Sequence, residues 1–205
     1  MKFDINNVIT GKVKFTADID CEESESDAVK KGLAAKWAIE NNINLSRTNL
    51  SGANLAGVDL RRVDLSNVDL TGANLSSADL TGANLSGVDL SNVNLRGVNL
   101  SNADLRWVHL RGVDLRGANL SDTSFNYAVG GISPYIKFIS IDRYQIIYTN
   151  KSIFIGCETY KIEEWRKFDD ESIERLDGEY ALEFWKKYKS FIFKAIELAP
   201  AIATK

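Results

Sequence analysis

The sequence of 205 residues is poor in the side chains on which most catalytic and metal sites depend. It contains two cysteines, Cys21 and Cys157, and a single histidine, His109. Two cysteines are too few for a disulfide framework, and one histidine argues against a histidine-rich metal site or a Ser-His triad. We therefore expect reduced thiols, no metal, no other cofactor and no enzymatic activity.

Long apolar runs and a strong net charge are also missing. No stretch approaches the roughly 18 apolar residues of a membrane span, and residues 1–15 lack the apolar core of a signal peptide. The 25 basic and 28 acidic residues give a net charge of -3, which excludes nucleic-acid binding by bulk attraction. These features predict a cytoplasmic protein that binds neither membranes nor nucleic acid directly.

What the sequence does contain is one internal repeat. Leucine occupies every fifth position from Leu45 to Leu120, and Phe125 takes the next, which gives 17 central positions without an insertion. The residue two places before each centre is small or β-branched, and the residue just before it is Asn or Asp in all but two cases, His109 and Ser124. A period of five matches neither a helix nor a strand. The backbone must therefore turn a corner once in every unit.

Gly, Asn and Asp supply those corners, because they tolerate left-handed and turn conformations. Four such sides would close one coil in 20 residues, and the central residues would then stack in four columns inside it. The interior would be narrow, which explains the small residues two places before each centre. We expect one column of the structural core to consist of Leu45, Leu65, Leu85, Leu105 and Phe125.

This stretch closely resembles the pentapeptide-repeat family, whose units follow the pattern A(D/N)LXX. The units TGANL at 71–75 and 81–85 show the pattern most clearly, and the resemblance covers about residues 41–126. It implies a mainly β fold, namely a right-handed quadrilateral β-helix of about four coils. The order of segments along the chain also resembles that of members encoded by phages and prophages.

The flanking segments predict a cap and a second domain. Residues 1–42 would form an N-terminal cap, with a strand at 12–20 and a helix at 24–41 that cover the open end of the β-helix at 43–126. Residues 127–205 predict a C-terminal α+β domain, in which a small β meander precedes several helices. The apolar runs of the meander are 135–141, 144–149 and 152–157, and the helical patterns are 161–168, 171–176 and 179–198.

The last predicted helix, at 179–198, is apolar on nearly every side. Such a helix is either buried by its own domain or in contact with a partner. In the pentapeptide-repeat family a C-terminal aromatic helix commonly makes a two-fold dimer, and the resemblance implies a homodimer here. The residues expected at the dimer interface are Trp185, Tyr188, Phe191 and Ile192.

Surface charge differs between the two halves of the repeat. Residues 44–95 hold three Arg and five Asp, whereas residues 96–125 hold four Arg and three Asp. Arg and Trp are residue types that dominate binding hot spots, so the second half supplies a candidate interaction patch of Arg96, Arg106, Trp107, His109, Arg111 and Arg116. The first half supplies a candidate acidic patch of Asp59, Asp64, Asp69, Asp79 and Asp89.

Functions of two different classes compete. The best-known family activity is DNA mimicry, in which a member binds DNA gyrase. A DNA duplex as long as the predicted β-helix, roughly 19 Å, carries about 11 negative charges. The predicted β-helix instead carries eight Asp against seven Arg. We therefore favour a non-enzymatic protein-binding module, a rigid scaffold that engages a bacterial host protein, as a phage-encoded inhibitor or modulator would. The alternatives are a DNA mimic that binds DNA gyrase or another DNA-handling protein, and a purely structural spacer.

Overall fold

The computed structural model describes residues 1–120, 123–125, 128, 136–141, 144–156 and 158–201. These residues belong to two compact units, one within residues 1–133 and the other within residues 134–203. Along the described chain, no helix is both long and apolar enough to cross a bilayer.

The first unit begins with an antiparallel hairpin of β1 (Lys2–Asn6) and β2 (Val13–Asp18). The sequence predicts only the second strand. The first strand carries the same alternating signal in a short form, because half-buried Phe3 and buried Ile5 lie between exposed polar residues. Helix α1 (Asp27–Glu40) follows and begins three residues later than predicted.

The hairpin and α1 cover two sides of the first coil of the repeat. The Asn49 N–H donates to the Asn6 carbonyl at 2.9 Å, and the Asn54 N–H donates to the Ala28 carbonyl at 2.8 Å. Helix α1 approaches so closely that a Cβ added to Gly32 would lie 2.1 Å from the Asn54 oxygen. Only glycine fits there, so the helix is held directly against the edge of the coil.

The repeat segment is built from short parallel bridges. Each bridge joins residues that are 20 apart, as Asp59 and Asp79 are. The backbone bonds follow the same spacing; the Leu85 N–H, for example, donates to the Asp104 carbonyl at 2.8 Å. The chain therefore returns over itself once every 20 residues, and equivalent residues of successive coils stack in columns.

The interior of these coils is aliphatic and tightly filled. Every central leucine from Leu45 to Leu115 is at most 1% exposed, and Phe125 is fully buried. The residues two places before the centres are also buried, except for half-buried Ile43 and Val63. Burial of a Leu side chain contributes about 1.5–3 kcal/mol, so the columns supply most of the stability of this unit.

The second unit packs a four-stranded antiparallel sheet against two helices. The sheet has the order β3-β4-β5-β6, one strand more than predicted, because the segment before the first helix pairs with β5. The elements are β3 (Lys137–Ile141), β4 (Tyr144–Tyr148), β5 (Ser152–Ile155), β6 (Glu158–Lys161), α2 (Ile162–Lys167) and α3 (Asp170–Leu198).

Helix α3 spans both of the last two predicted helices and breaks between them. Asp177 and Gly178 have non-helical backbone angles, and the φ of Gly178 is +66°. The helix and the sheet enclose an aromatic core around Trp165 and Trp185, whose rings lie 5.2 Å apart.

Candidate functional site

The corners of the coil explain why Asn or Asp precedes nearly every central leucine. The side-chain oxygen accepts a hydrogen bond from the backbone N–H two residues later, as Asp104 does from Arg106 at 3.0 Å. The residue after that has a positive φ at every such position from 47 to 117. The carboxylates of the repeat therefore have a structural role at the corners before any binding role is considered.

The structure divides the candidate interaction patch into two groups. Arg106, Trp107, His109 and Arg111 follow one another along one side of the last described coil, whereas Arg96 and Arg116 stack at another corner. All six side chains are exposed.

Two of the four arginines in the patch are neutralised by an aspartate of the same unit. Arg106 binds Asp104 through two nitrogens at 2.9 and 2.6 Å, and Arg116 binds Asp114 at 2.9 and 2.5 Å. The tripeptide Asp-Leu-Arg occurs at both places, so the sequence itself indicates these local ion pairs.

Arg96 and Arg111 differ because Asn94 and His109 stand in place of that aspartate. Within the part of the chain that the structure describes, neither of these two arginines forms a salt bridge. Arg96 does act on Asp114 by its charge. Hydrogen bonds from Arg116, with the charges of both arginines, lower the pKa of Asp114 to about 2.

Trp107 is the unusual residue of this surface. It is 59% exposed, and its φ of +62° lies in the left-handed region. The equivalent position elsewhere holds Gly, Asn, Ser or Arg. A left-handed conformation costs a non-glycine residue about 1–2 kcal/mol, so the chain keeps a bulky aromatic ring exposed where glycine would be more stable.

His109 continues a column of carboxylates. Asn49, Asp69, Asp89 and His109 follow one another through successive bridges. Burial tends to raise the pKa of Asp89, but the hydrogen bonds from Ser91 and the charge of His109 outweigh it, and the pKa lies below its ordinary value.

The five residues of the candidate acidic patch do not share one surface. Asp59 and Asp79 lie in one column, Asp69 and Asp89 in a second, and Asp64 in a third. Arg61 also binds Asp59 at 2.5 Å and lies 3.8 Å from Asp79. The acidic charge of the first half is therefore divided among three sides and partly neutralised.

A family model described as pentapeptide repeats (8 copies) matches residues 43–82, 59–97, 73–112 and 99–129. These matches join into one continuous stretch that contains all the coils described above. Residues 43–129 form a pentapeptide-repeat domain. The domain is a repeat scaffold with a β-helix-like fold.

Several solved structures resemble this chain over part of its length. A pentapeptide repeat protein (Rfr23) from the cyanobacterium Cyanothece 51142 is 41% identical, with 40% of this chain and 56% of that chain covered and a TM-score of 0.40. One from the Arabidopsis thaliana thylakoid lumen is 35% identical, with 42% and 59% covered and a TM-score of 0.40.

A third structure is QnrB1, a plasmid-mediated fluoroquinolone resistance protein. It is 31% identical, with 41% of this chain and 38% of that chain covered and a TM-score of 0.36. This chain spans less than two thirds of the length of each of these three proteins. No curated protein sequence matches the chain.

The residues predicted to make a dimer lie outside the pentapeptide-repeat domain, on α3. Trp185 is 3% exposed and Ile192 is fully buried, because both belong to the core of their own unit. Tyr188 is half-buried against Phe184, at 5.0 Å between ring centroids. Phe191 is different, since 55% of it is exposed. Trp185 and Ile192 thus stabilise the unit itself, and of the four only Phe191 projects strongly from it.

Reactive thiols and metal-ligating side chains are the remaining candidates for chemistry. Cys21 is a half-buried free thiol, and Cys157 lies outside the described residues. Among the residues that the structure describes, no three His, Cys, Asp or Glu side chains are grouped to hold a metal ion.

Proposed function

We propose that the pentapeptide-repeat domain is a non-enzymatic scaffold that binds a protein partner through the surface around Trp107. In this proposal the domain has the right-handed quadrilateral form of about four coils that its family implies. The observation that carries the proposal is the exposed Trp107 ring in a left-handed conformation. Local strain that a glycine would remove is retained where the side chain serves a function.

The neighbouring charges indicate the chemistry of the partner. Arg96 and Arg111 are exposed cations without an ion pair among the described residues, and Arg111 lies close to Trp107 along the chain. An exposed aromatic ring beside the Arg111 cation suits an acidic protein surface, because the ring is buried on contact while the arginine meets a carboxylate. We infer that the partner is a cytoplasmic bacterial protein and that this chain acts on it as an inhibitor or modulator, as a phage-encoded protein would.

DNA mimicry receives less support from the geometry. A mimic of duplex DNA needs a continuous negative surface, whereas the aspartates are spread over three columns and Arg61 neutralises part of them. A role as a pure spacer leaves the exposed Trp107 unexplained. Both alternatives are outcomes of the experiment below.

The test is capture of a partner from a bacterial lysate, followed by binding isotherms with the purified partner. Trp107→Gly should weaken binding at least tenfold, the loss typical of a hot-spot residue. Stability should stay equal or rise, because glycine relieves the left-handed conformation. The matched control is Asn102→Gly, which changes an exposed corner residue with a φ of +58° in the same coil and should leave binding unchanged.

A second set of variants distinguishes the alternatives. Arg111→Ala should cost more affinity than Asp59, Asp69 and Asp89 replaced together by Asn. If the variant with all three aspartates replaced loses binding and Arg111→Ala does not, the partner contacts the acidic residues. DNA mimicry then becomes the leading function. An assay of gyrase supercoiling would then be the next step. Failure to capture any partner under these conditions would favour the spacer.

A further inference from the structure

A groove lies between α1 and the first coil, away from Trp107. The groove is open to solvent and has a volume of about 820 Å³. Its lining combines two apolar side chains, one hydroxyl side chain and five charged ones. The residues are Lys36, Ile39, Glu40, Val58, Asp59, Arg61, Arg62 and Thr81.

The groove lies where the first coil has an uncovered edge. The hairpin covers the side of the coil that contains Asn49, and α1 covers the side that contains Asn54. The next side contains Asp59, which bridges only forward, to Asp79. In the described chain, no backbone group bonds to the Asp59 N–H or to its carbonyl.

The repeat shows where these two backbone groups point. In the following coil, the Asp79 N–H donates to the Val58 carbonyl and the Asp79 carbonyl accepts from the Leu60 N–H, so both face the preceding coil. Asp59 occupies the same position one coil earlier, where no preceding coil exists. Its N–H and carbonyl therefore face the groove side of the edge, as a pair ready to bond an added strand.

The charges around this edge favour an acidic occupant. Lys36 and Arg62 form no salt bridge within the described residues, whereas Asp59 is held by Arg61 at 2.5 Å. Arg62 lies over the next corner of its column, since a Cβ added to Gly82 would contact its Cγ at 3.5 Å. The lining therefore holds three cations, Lys36, Arg61 and Arg62, against the two carboxylates of Glu40 and Asp59, and three minus two leaves a net charge of +1.

We propose that this groove binds an extended, acidic segment of a partner protein as an additional strand along the Asp59 edge. The backbone of the segment would pair with the Asp59 N–H and carbonyl, and its carboxylates would meet Lys36 and Arg62. Ile39 and Val58 would contact its apolar side chains. The site is independent of the surface around Trp107, so either one can fail without the other.

The test uses the full chain and a fluorescein-labelled peptide of alternating glutamate and valine, measured by fluorescence anisotropy. Wild type should bind this peptide saturably. The same peptide with alternate backbone amides methylated should bind at least tenfold more weakly, because methylation removes the donors of an added strand. A peptide with glutamine in place of glutamate should also bind more weakly.

Variants locate the site. Arg62→Gly combined with Lys36→Gln should weaken binding about tenfold, and the glycine keeps the fold because Arg62 has a φ of +58°. Arg47→Gly is the matched control, since Arg47 has a φ of +57° at an equivalent corner of another side; it should change binding less than about twofold. Trp107→Gly should not change it. Absence of saturable binding, equal binding of the methylated peptide, or an equal loss in Arg47→Gly would each overturn the proposal.

Discussion

The two units of this chain hold their cores together in opposite ways. In the pentapeptide-repeat domain, each coil repeats the contacts of the one before it, with leucines at most 1% exposed and bridges 20 residues apart. In the second unit each important contact occurs once; the Trp165 indole, for example, donates to the Ile153 carbonyl at 2.9 Å. A residue in the first unit is therefore understood from its position in the repeat, and a residue in the second only from its three-dimensional neighbours.

The largest effect should come from breaking one leucine column. Leu85 is fully buried, and the coils above and below it are fixed by their own hydrogen bonds, so a cavity there cannot collapse. Leu85→Ala should lower the free energy of unfolding by roughly 2–5 kcal/mol, and Leu85→Lys should prevent folding of the domain. Chemical denaturation followed by circular dichroism measures both. An unchanged melting temperature for Leu85→Lys would refute the stacked columns.

In the second unit, two tryptophans of similar burial should differ in the stability that is lost when each is replaced by phenylalanine. The Trp165 indole donates a hydrogen bond, whereas the Trp185 Nε1 is buried without a hydrogen-bond partner among the residues that the structure describes. Trp165→Phe should cost about 1–3 kcal/mol, because the donor to the Ile153 carbonyl is lost. Trp185→Phe should cost less, since it removes a donor that is already unsatisfied. Equal losses in urea denaturation would mean that ring packing alone sets the cost.

The contrast between the repeated and the unrepeated unit explains which features could be predicted from the sequence. Seventeen consecutive units identify the repeat, because a period of five excludes helix and strand alike. The buried column from Leu45 to Phe125 lies where that reasoning puts it. The ion pairs of Arg106 and Arg116 can also be predicted from the sequence, because Asp104 and Asp114 stand two residues before them.

Other features depended on contacts between distant residues. The open edge at Asp59 exists because the hairpin and α1 cover only the sides that contain Asn49 and Asn54, which no local pattern shows. The burial of Trp185 and Ile192 is similar, since an apolar helix gives the same signal whether it packs on its own sheet or on a partner. The strand β1 is short, and a brief alternation is a weak signal.

A smaller change tests whether α3 also makes a dimer, which stays a prediction. Phe191 is 55% exposed, so Phe191→Asp should alter stability by no more than about 0.5 kcal/mol. If α3 forms the interface, light scattering should give a dimer for wild type and a monomer for this variant. Ile192→Asp is unsuitable for the test, because Ile192 is fully buried and a charge there would unfold the unit. A monomeric wild type would contradict the homodimer.

The smallest effect concerns one corner of the repeat and its dependence on pH. Arg116 donates two hydrogen bonds to Asp114, at 2.9 and 2.5 Å, and lowers the pKa of that carboxyl from 3.8 to about 2. Because the pKa is depressed in the folded state, the pair stabilises the fold above pH 3.8 and loses this contribution as the pH falls through about 2. Carbon NMR should find the Asp114 midpoint near 2 in wild type and closer to 3.8 in Arg116→Gln. Arg96→Gln should raise it less, since Arg96 acts on Asp114 by charge alone. A wild-type midpoint at the ordinary value would show that the exposed pair is broken by solvent.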